Sequence, residues 1–228
     1  MSTPVLPKLV GQRVKRREDP RLIQGLGTYV DDVKIVGMQH LAFKRSDVAH
    51  GRITSIDVSA AKAMDGVEAA FTGKELAEFL APMPIGTPFP SPEHRAIAVD
   101  VVRFTGEPVA VVIAADRYIA RDAADAIVVS YDPLPAVIDT EQAMTGKPTQ
   151  IHKDFPNNLA LPLIPSGTGV APDGSSVDDT AVNKAFAEAE VVISQRMLNH
   201  RLAPSAMEPR GVVAHYEPGK GTMTIWSS

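Results

Sequence analysis

The run Pro108-Val-Ala-Val-Val-Ile-Ala-Ala-Asp-Arg-Tyr-Ile-Ala-Arg-Asp-Ala-Ala-Asp-Ala-Ile-Val-Val-Ser-Tyr131 decides the fold class. Val109 to Ala114 is almost wholly apolar, as a central strand buried on both faces must be. Asp116 then opens a helical run whose Ile119, Ala120, Ala123, Ala124 and Ile127 follow the 3.6-residue period. Val128-Val-Ser-Tyr131 leaves as a strand and is closed by Pro133 and Pro135. Strand, helix and strand in one stretch predict a mixed α/β unit with antiparallel neighbours.

Upstream, His40-Leu-Ala-Phe-Lys44 and Arg52-Ile-Thr-Ser-Ile-Asp-Val58 mix apolar and polar residues as half-buried strands do, and Val67-Glu-Ala-Ala-Phe71 and Ala96 to Val102 read as two more. Ser59 is placed to cap a short helix over Ala60–Met64. Thr72 and Glu75 have capping-box spacing ahead of Leu76-Ala-Glu-Phe-Leu80. Five prolines between Pro82 and Pro92 force an irregular loop there. Residues 1–20, rich in proline and charge, read as an extended arm.

Downstream, residues 143–177 are rich in Pro, Gly, Asn and Ser and lack periodicity, which predicts a connection laid over a surface. Asp179 to Glu190 reads as a helix with Val182, Ala185, Phe186 and Ala189 on one face, and Val191 to Asn199 as a strand. Gly211-Val-Val-Ala-His-Tyr216, the turn Pro218-Gly-Lys-Gly221 and Thr222-Met-Thr-Ile-Trp-Ser-Ser228 form an antiparallel hairpin. Ser228 falls on its second strand, so the polypeptide or a partner chain is expected to continue. An apolar patch around Val212, Val213, Ile225 and Trp226 is expected where further strands would pack.

Composition bounds the function. At 228 residues the chain can bury a real core. A net charge of −4 offers no field for nucleic acid or an anionic membrane surface, and the basic run Arg13 to Arg17 is followed at once by Glu18 and Asp19. There are no cysteines, which removes disulfides, thiolate nucleophiles, Cys-bound zinc and Cys-bound iron–sulfur clusters from this chain. No stretch reaches the roughly 20 apolar residues of a membrane span, and no secretory signal core is present, so a cytoplasmic location is expected.

Residue chemistry alone gives no convincing active site. Gly25-Leu-Gly27 lacks the third glycine of a dinucleotide fingerprint and reads as a turn. His200 and His215 could approach Glu208 if their strands paired, making a metal or acid–base cluster; ordinary strand and loop histidines fit the pattern better. Glu107, between Gly106 and Pro108, suits either a placed acid or, more simply, a loop carboxylate receiving backbone N–H groups. Glu208 and Arg210, either side of Pro209, suit a substrate anion or a fixed ion pair at a structural corner.

The order of segments carries more. Arg21-Leu-Ile-Gln-Gly-Leu-Gly-Thr-Tyr-Val-Asp-Asp32, Gly37-Met-Gln-His-Leu-Ala-Phe-Lys-Arg-Ser46, Gly106-Glu-Pro-Val-Ala-Val-Val112, Tyr131-Asp-Pro-Leu-Pro-Ala-Val137 and Met207-Glu-Pro-Arg-Gly211 with Ile225-Trp-Ser-Ser228 come in a recognisable succession. From about residue 10 onward the chain resembles the molybdenum-binding large subunits of the xanthine dehydrogenase and aldehyde oxidase family, most of all the bacterial carbon monoxide dehydrogenase branch. One departure stands out: Arg45-Ser-Asp-Val-Ala-His-Gly51 replaces the commoner Arg-Ser-Pro-His-Ala-His-Ala.

The resemblance implies an α/β (α+β) fold: an arm over residues 1–20, a hammerhead domain over 21–142, a linker over 143–177, and the first part of the molybdopterin-binding domain over 178–228. It implies the N-terminal portion of a molybdenum hydroxylase. Such an enzyme hydroxylates a small carbonyl, N-heterocyclic or C1 substrate with water-derived oxygen and passes electrons to 2Fe–2S clusters and FAD. The implied partners are the rest of the large subunit, an iron–sulfur small subunit and an FAD medium subunit, in a dimer of heterotrimers. In the family a Thr-Gln follows the strand like Ile225-Trp-Ser-Ser228, and its glutamine approaches the molybdenum; pterin loops and the glutamate base lie further on. No catalytic, cofactor-binding or metal-binding residue is therefore assigned within residues 1–228, and the chain alone is expected to be inactive. The alternative is a non-catalytic hammerhead module that braces another subunit; a third, remote reading is a small metal enzyme built on His200, Glu208 and His215.

Overall fold

The computed structural model describes residues 10–84, 91–144, 149–155, 158 and 180–228. In chain order its elements are α1 (Asp19–Leu22), β1 (His40–Arg45), β2 (Gly51–Asp57), α2 (Ser59–Lys62), β3 (Val67–Thr72), α3 (Gly73–Ala77), β4 (Val101–Val102), β5 (Pro108–Ala114), α4 (Arg117–Ala126), β6 (Val128–Pro133), α5 (Thr180–Glu188), β7 (Val212–Glu217) and β8 (Thr222–Ser227), with 3-10 turns at Val30–Asp32 and Gln142–Met144. They divide into two compact units, Gln39–Gln195 and Met1–Met38 with Arg196–Ser228.

In the first unit β5 lies between β1 and β3 and is antiparallel to both, the central place its apolar run predicts. Ala110 and Val112 join Ala61, Ala70, Ala123, Ala124 and Ile127 in one buried cluster, so α4 packs on the sheet through its apolar stripe. Asp116 caps α4, its carboxylate accepting from the backbone N–H groups of Tyr118 and Ile119 at 2.8 Å each.

The second sheet has the order β4-β2-β6. Ile53 and Ile56 are three residues apart and would face opposite sides of a regular strand. The β2–β6 register shifts between Ile53 and Ser55, and this bulge returns both isoleucines to the core. They pack against the buried cluster Ala98, Val102 and Val109 with Val48, Val129 and Tyr131. Ile56 and Val129 also pack on the α4 cluster, which joins the two cores.

Four expectations need correction. Ser59 is inside α2 and does not cap it; the Asp57 carboxylate instead accepts from the Ser59 N–H at 2.9 Å. The Thr72–Glu75 capping box forms, but the helix begins at Gly73 and ends at Ala77, followed by a last turn in which the Phe79 and Leu80 N–H groups both donate to the Leu76 carbonyl. The strand expected over Ala96–Val102 is reduced to Val101–Val102. Before it the backbone bends, Ala98 donating to the Pro108 carbonyl at 2.8 Å and laying its own carbonyl over Gly73. Val191–Asn199 joins no sheet among the described residues, because an apolar pattern becomes a strand only beside a hydrogen-bonding neighbour. Most of the expected linker lies outside the described residues.

In the second unit β7 and β8 pair antiparallel, from Val212 opposite Ser227 to Glu217 opposite Thr222. The hairpin expected from the sequence is formed, with its turn at residues 218–221.

Candidate functional site

The Met207–Gly211 motif is held from two directions within its unit. The Val30 N–H donates to Glu208 Oε1 at 2.9 Å, a contact across 178 positions of sequence. Val30 is presented by a 3-10 turn in which the Tyr29 N–H donates to the Asp32 carboxylate at 2.9 Å. From the other side, the Ser228 hydroxyl accepts from the Gly211 N–H at 2.9 Å and donates to the Pro209 carbonyl at 3.1 Å. A Cβ at Gly211 would lie 3.3 Å from Val30 Cγ1, so glycine permits the close approach that brings Glu208 within reach.

This geometry decides between the sequence readings. His200 lies exposed in an irregular stretch, and His215 sits on β7 opposite Thr224. Among the described residues no group of three His, Asp or Glu side chains gathers around one point, so the proposed His200–Glu208–His215 cluster does not form. The strand that would have carried His200 to its partners is absent. The Glu208–Arg210 ion pair is also not formed among the described residues, since the carboxylate turns to Val30. Glu107 takes the structural role: its carboxylate accepts from the Arg103 N–H, and its carbonyl accepts from Ser46 N–H at 2.8 Å, closing the turn into β5.

The apolar patch on the hairpin exists with different members. Val213 is 8% exposed, and its cross-strand partner Trp226 is half-buried. The open face is the opposite one, with Val212 at 67%, Ile225 at 59%, Met223 at 60% and Tyr216 at 54% exposure. The period-2 alternation puts neighbouring residues on opposite faces, so Val212 and Val213 could not share a patch.

A buried polar brace was not picked out from the sequence. His50 is 4% exposed, its Nδ1 lying 2.8 Å from the Pro135 carbonyl, which can only accept; Nδ1 therefore carries the proton. The His50 carbonyl accepts from the Leu134 N–H at 2.9 Å, so one histidine fixes the path of the Tyr131–Pro135 segment. Beside it Ser46 is buried, its hydroxyl donating to the Val48 carbonyl at 2.9 Å. The Tyr131 hydroxyl is buried with no hydrogen-bond partner of sound geometry. Burial raises its pKa above the usual phenol range, against the opposing influence of the nearby Ser46 hydroxyl. A histidine directly before glycine at the head of a strand was the available signal.

Comparison with known proteins fits this architecture. Residues 24–135 match the family model described as aldehyde oxidase and xanthine dehydrogenase, a/b hammerhead domain. Residues 165–228 match the one described as molybdopterin cofactor-binding domain. The chain is 36% identical to the 6-hydroxypseudooxynicotine dehydrogenase complex subunit gamma of Paenarthrobacter nicotinovorans, over 96% of this chain and 27% of that protein. It is 38% identical to the carbon monoxide dehydrogenase large chain of Hydrogenophaga pseudoflava, again over 96% and 27%. The structure of reconstituted CO dehydrogenase from Oligotropha carboxidovorans superposes with a TM-score of 0.78 at 36% identity, covering 95% of this chain and 27% of that one. The chain thus spans about a quarter of the length of the proteins it matches.

Proposed function

Because the chain belongs to the aldehyde oxidase and xanthine dehydrogenase family, we propose that it is part of the large subunit of a molybdenum hydroxylase. In this reading residues 21–142 are the hammerhead domain, 143–177 the linker, and 178–228 the opening of the molybdopterin-binding domain. The complete enzyme hydroxylates a small carbonyl, N-heterocyclic or C1 substrate with oxygen from water. The molybdenum–molybdopterin cofactor would supply the two-electron redox centre, and 2Fe–2S clusters and FAD on cytoplasmic partner subunits would carry the electrons onward. The observation that carries the reading is the succession of the two family regions on one chain, together with the fold likeness over 95% of it.

In this reading the described residues are assigned no contact with that cofactor. They gather no cluster of metal-ligating side chains, and the polar end of the hairpin, Ser228, spends its hydroxyl on Gly211 and Pro209. What these residues contribute is position. Glu208 and Ser228 clamp the Met207–Gly211 corner, and that corner sets where the hairpin strands run. No helix among the described residues is long and apolar enough to cross a membrane.

The test is to purify the protein from its native source with whatever accompanies it. Elemental analysis should find molybdenum and iron, and mass spectrometry should find two smaller subunits, one flavin-bearing. An assembly without molybdenum would sink the proposal and leave the non-catalytic bracing module in its place.

A further inference from the structure

Beyond the hammerhead the described residues tie the chain back onto it through side-chain hydrogen bonds. Asn158, in the left-handed region at φ 55°, donates through Nδ2 to the carbonyls of Ala143 and Thr149 and accepts the Ile151 N–H at Oδ1, each at 2.9 Å. The Ile151 carbonyl accepts from Arg103 Nε at 3.2 Å, while Arg103 Nη1 donates to the Val101 carbonyl at 3.1 Å. Both polar groups at Ile151 are thus held by side chains, one from the segment and one from the loop after β4. Next to this anchor His152 is half-buried, its ring edge-on to Phe155 at 6.5 Å between centroids.

We propose that residues 149–155 with Asn158 form a pH-sensitive latch on the hammerhead unit, closed while His152 is neutral and loosened when it takes a proton. The groups facing His152 are Arg103 and His94 from the hammerhead loops and Asp154 from the latch itself. Burial is the largest influence and disfavours the imidazolium; Arg103 and then His94 add to it, and Asp154 opposes them. All three larger influences act against charge, so the docked His152 titrates below the ordinary histidine range. A base whose pKa is lowered by docking leaves docking at full strength above about pH 7. Docking then weakens as pH falls below about 6.5, the value of a free histidine. The latch lies between the two family regions, so its state decides whether the connection leaves the hammerhead from a fixed point.

Amide hydrogen exchange on the 228-residue chain, corrected for intrinsic rates, tests this at pH 7.5 and 5.0. Protection at Ile151 should fall about tenfold for each unit that separates the docked from the free pKa, while Val111 and Val112 in β5 stay protected. In His152→Gln the fall should vanish, and in Asn158→Ala protection at Ile151 should be low at both pH values. Equal wild-type protection at both pH values overturns the proposal, as does an undiminished fall in His152→Gln, a parallel loss in β5, or full protection in Asn158→Ala. Should His152→Gln fail to fold, an NMR titration of the wild-type imidazole replaces it. A midpoint below the ordinary histidine value, coincident with loss of protection, supports the latch; a midpoint at or above that value overturns it.

Discussion

Val30 and Glu208, 178 positions apart, are joined by a hydrogen bond from the Val30 N–H to the Glu208 carboxylate. It is a charge-assisted bond to a half-buried acceptor and ties the N-terminal segment to the root of the closing hairpin. Removing the acceptor leaves the Val30 N–H without a partner. Glu208→Ala should therefore cost about 1–2 kcal/mol of the stability of that unit, and Glu208→Gln, which keeps an oxygen acceptor, less than half as much. Trp226, the sole tryptophan, lies on β8 and reports this unit, so its fluorescence in urea is the measurement. An unchanged midpoint in Glu208→Ala would show that the contact does not hold the unit together.

Gly73 opens α3 beneath the Ala98 carbonyl, and a Cβ there would lie 1.9 Å from that oxygen. The two nearest atoms, the Ala98 oxygen and carbonyl carbon, are backbone held by the Ala98–Pro108 hydrogen bond, so they cannot swing aside as a side-chain end would. Gly73→Ala should lower stability by about 3 kcal/mol or prevent folding, the upper range for overpacking. Circular dichroism melting would check it; a loss within about 0.5 kcal/mol would mean that the 96–100 bend yields freely.

What could be read from the chain was whatever local periodicity encodes. β5 is a continuous apolar run, α4 carries a stripe of Ile and Ala beginning at an Asp cap, and β7–β8 alternate around a glycine-rich turn. The errors came where a distant neighbour decides. Val191–Asn199 has the pattern of a strand but joins no sheet among the described residues, and Ala96–Val102 bends because Gly73 gives Ala98 room. The bulge before Ser55 was hidden in the odd spacing of Ile53 and Ile56. At the candidate site Glu208 was legible as important only as part of a motif; its actual partner is a backbone N–H that no spacing rule can nominate.

The Thr72–Glu75 capping box gives a pH dependence of known sign. The Thr72 backbone N–H and then its hydroxyl donate to the Glu75 carboxylate, at 2.6 and 2.8 Å, and hold its pKa below the usual glutamate range. A lowered carboxylate pKa contributes stability above the unfolded value. That contribution disappears as pH falls from about 4.3 through the folded value. Glu75 is partly exposed, and the nearby Lys62 at 3.6 Å adds little in solvent. Glu75→Gln should cost under about 1 kcal/mol at pH 7 and less at pH 3. Denaturant midpoints at the two pH values measure this; an equal loss at both would assign the effect to packing instead of the charge.

Tyr131 carries a buried hydroxyl without a sound hydrogen-bond partner in the core formed with Ala98, Val102 and Val109. Leaving such a group unpaired costs about 1–3 kcal/mol of desolvation. Removing it with the ring kept in place relieves that cost without opening a cavity of consequence. Tyr131→Phe is therefore expected to be neutral or to stabilise the hammerhead unit by up to about 1 kcal/mol, whereas Tyr131→Ala should cost about 3 kcal/mol or more by emptying the site. The pair of variants separates the ring from its oxygen. Thermal midpoints for both would settle the matter: a Phe variant destabilised by more than about 1 kcal/mol would mean the hydroxyl is satisfied after all, through Ser46 or an ordered water.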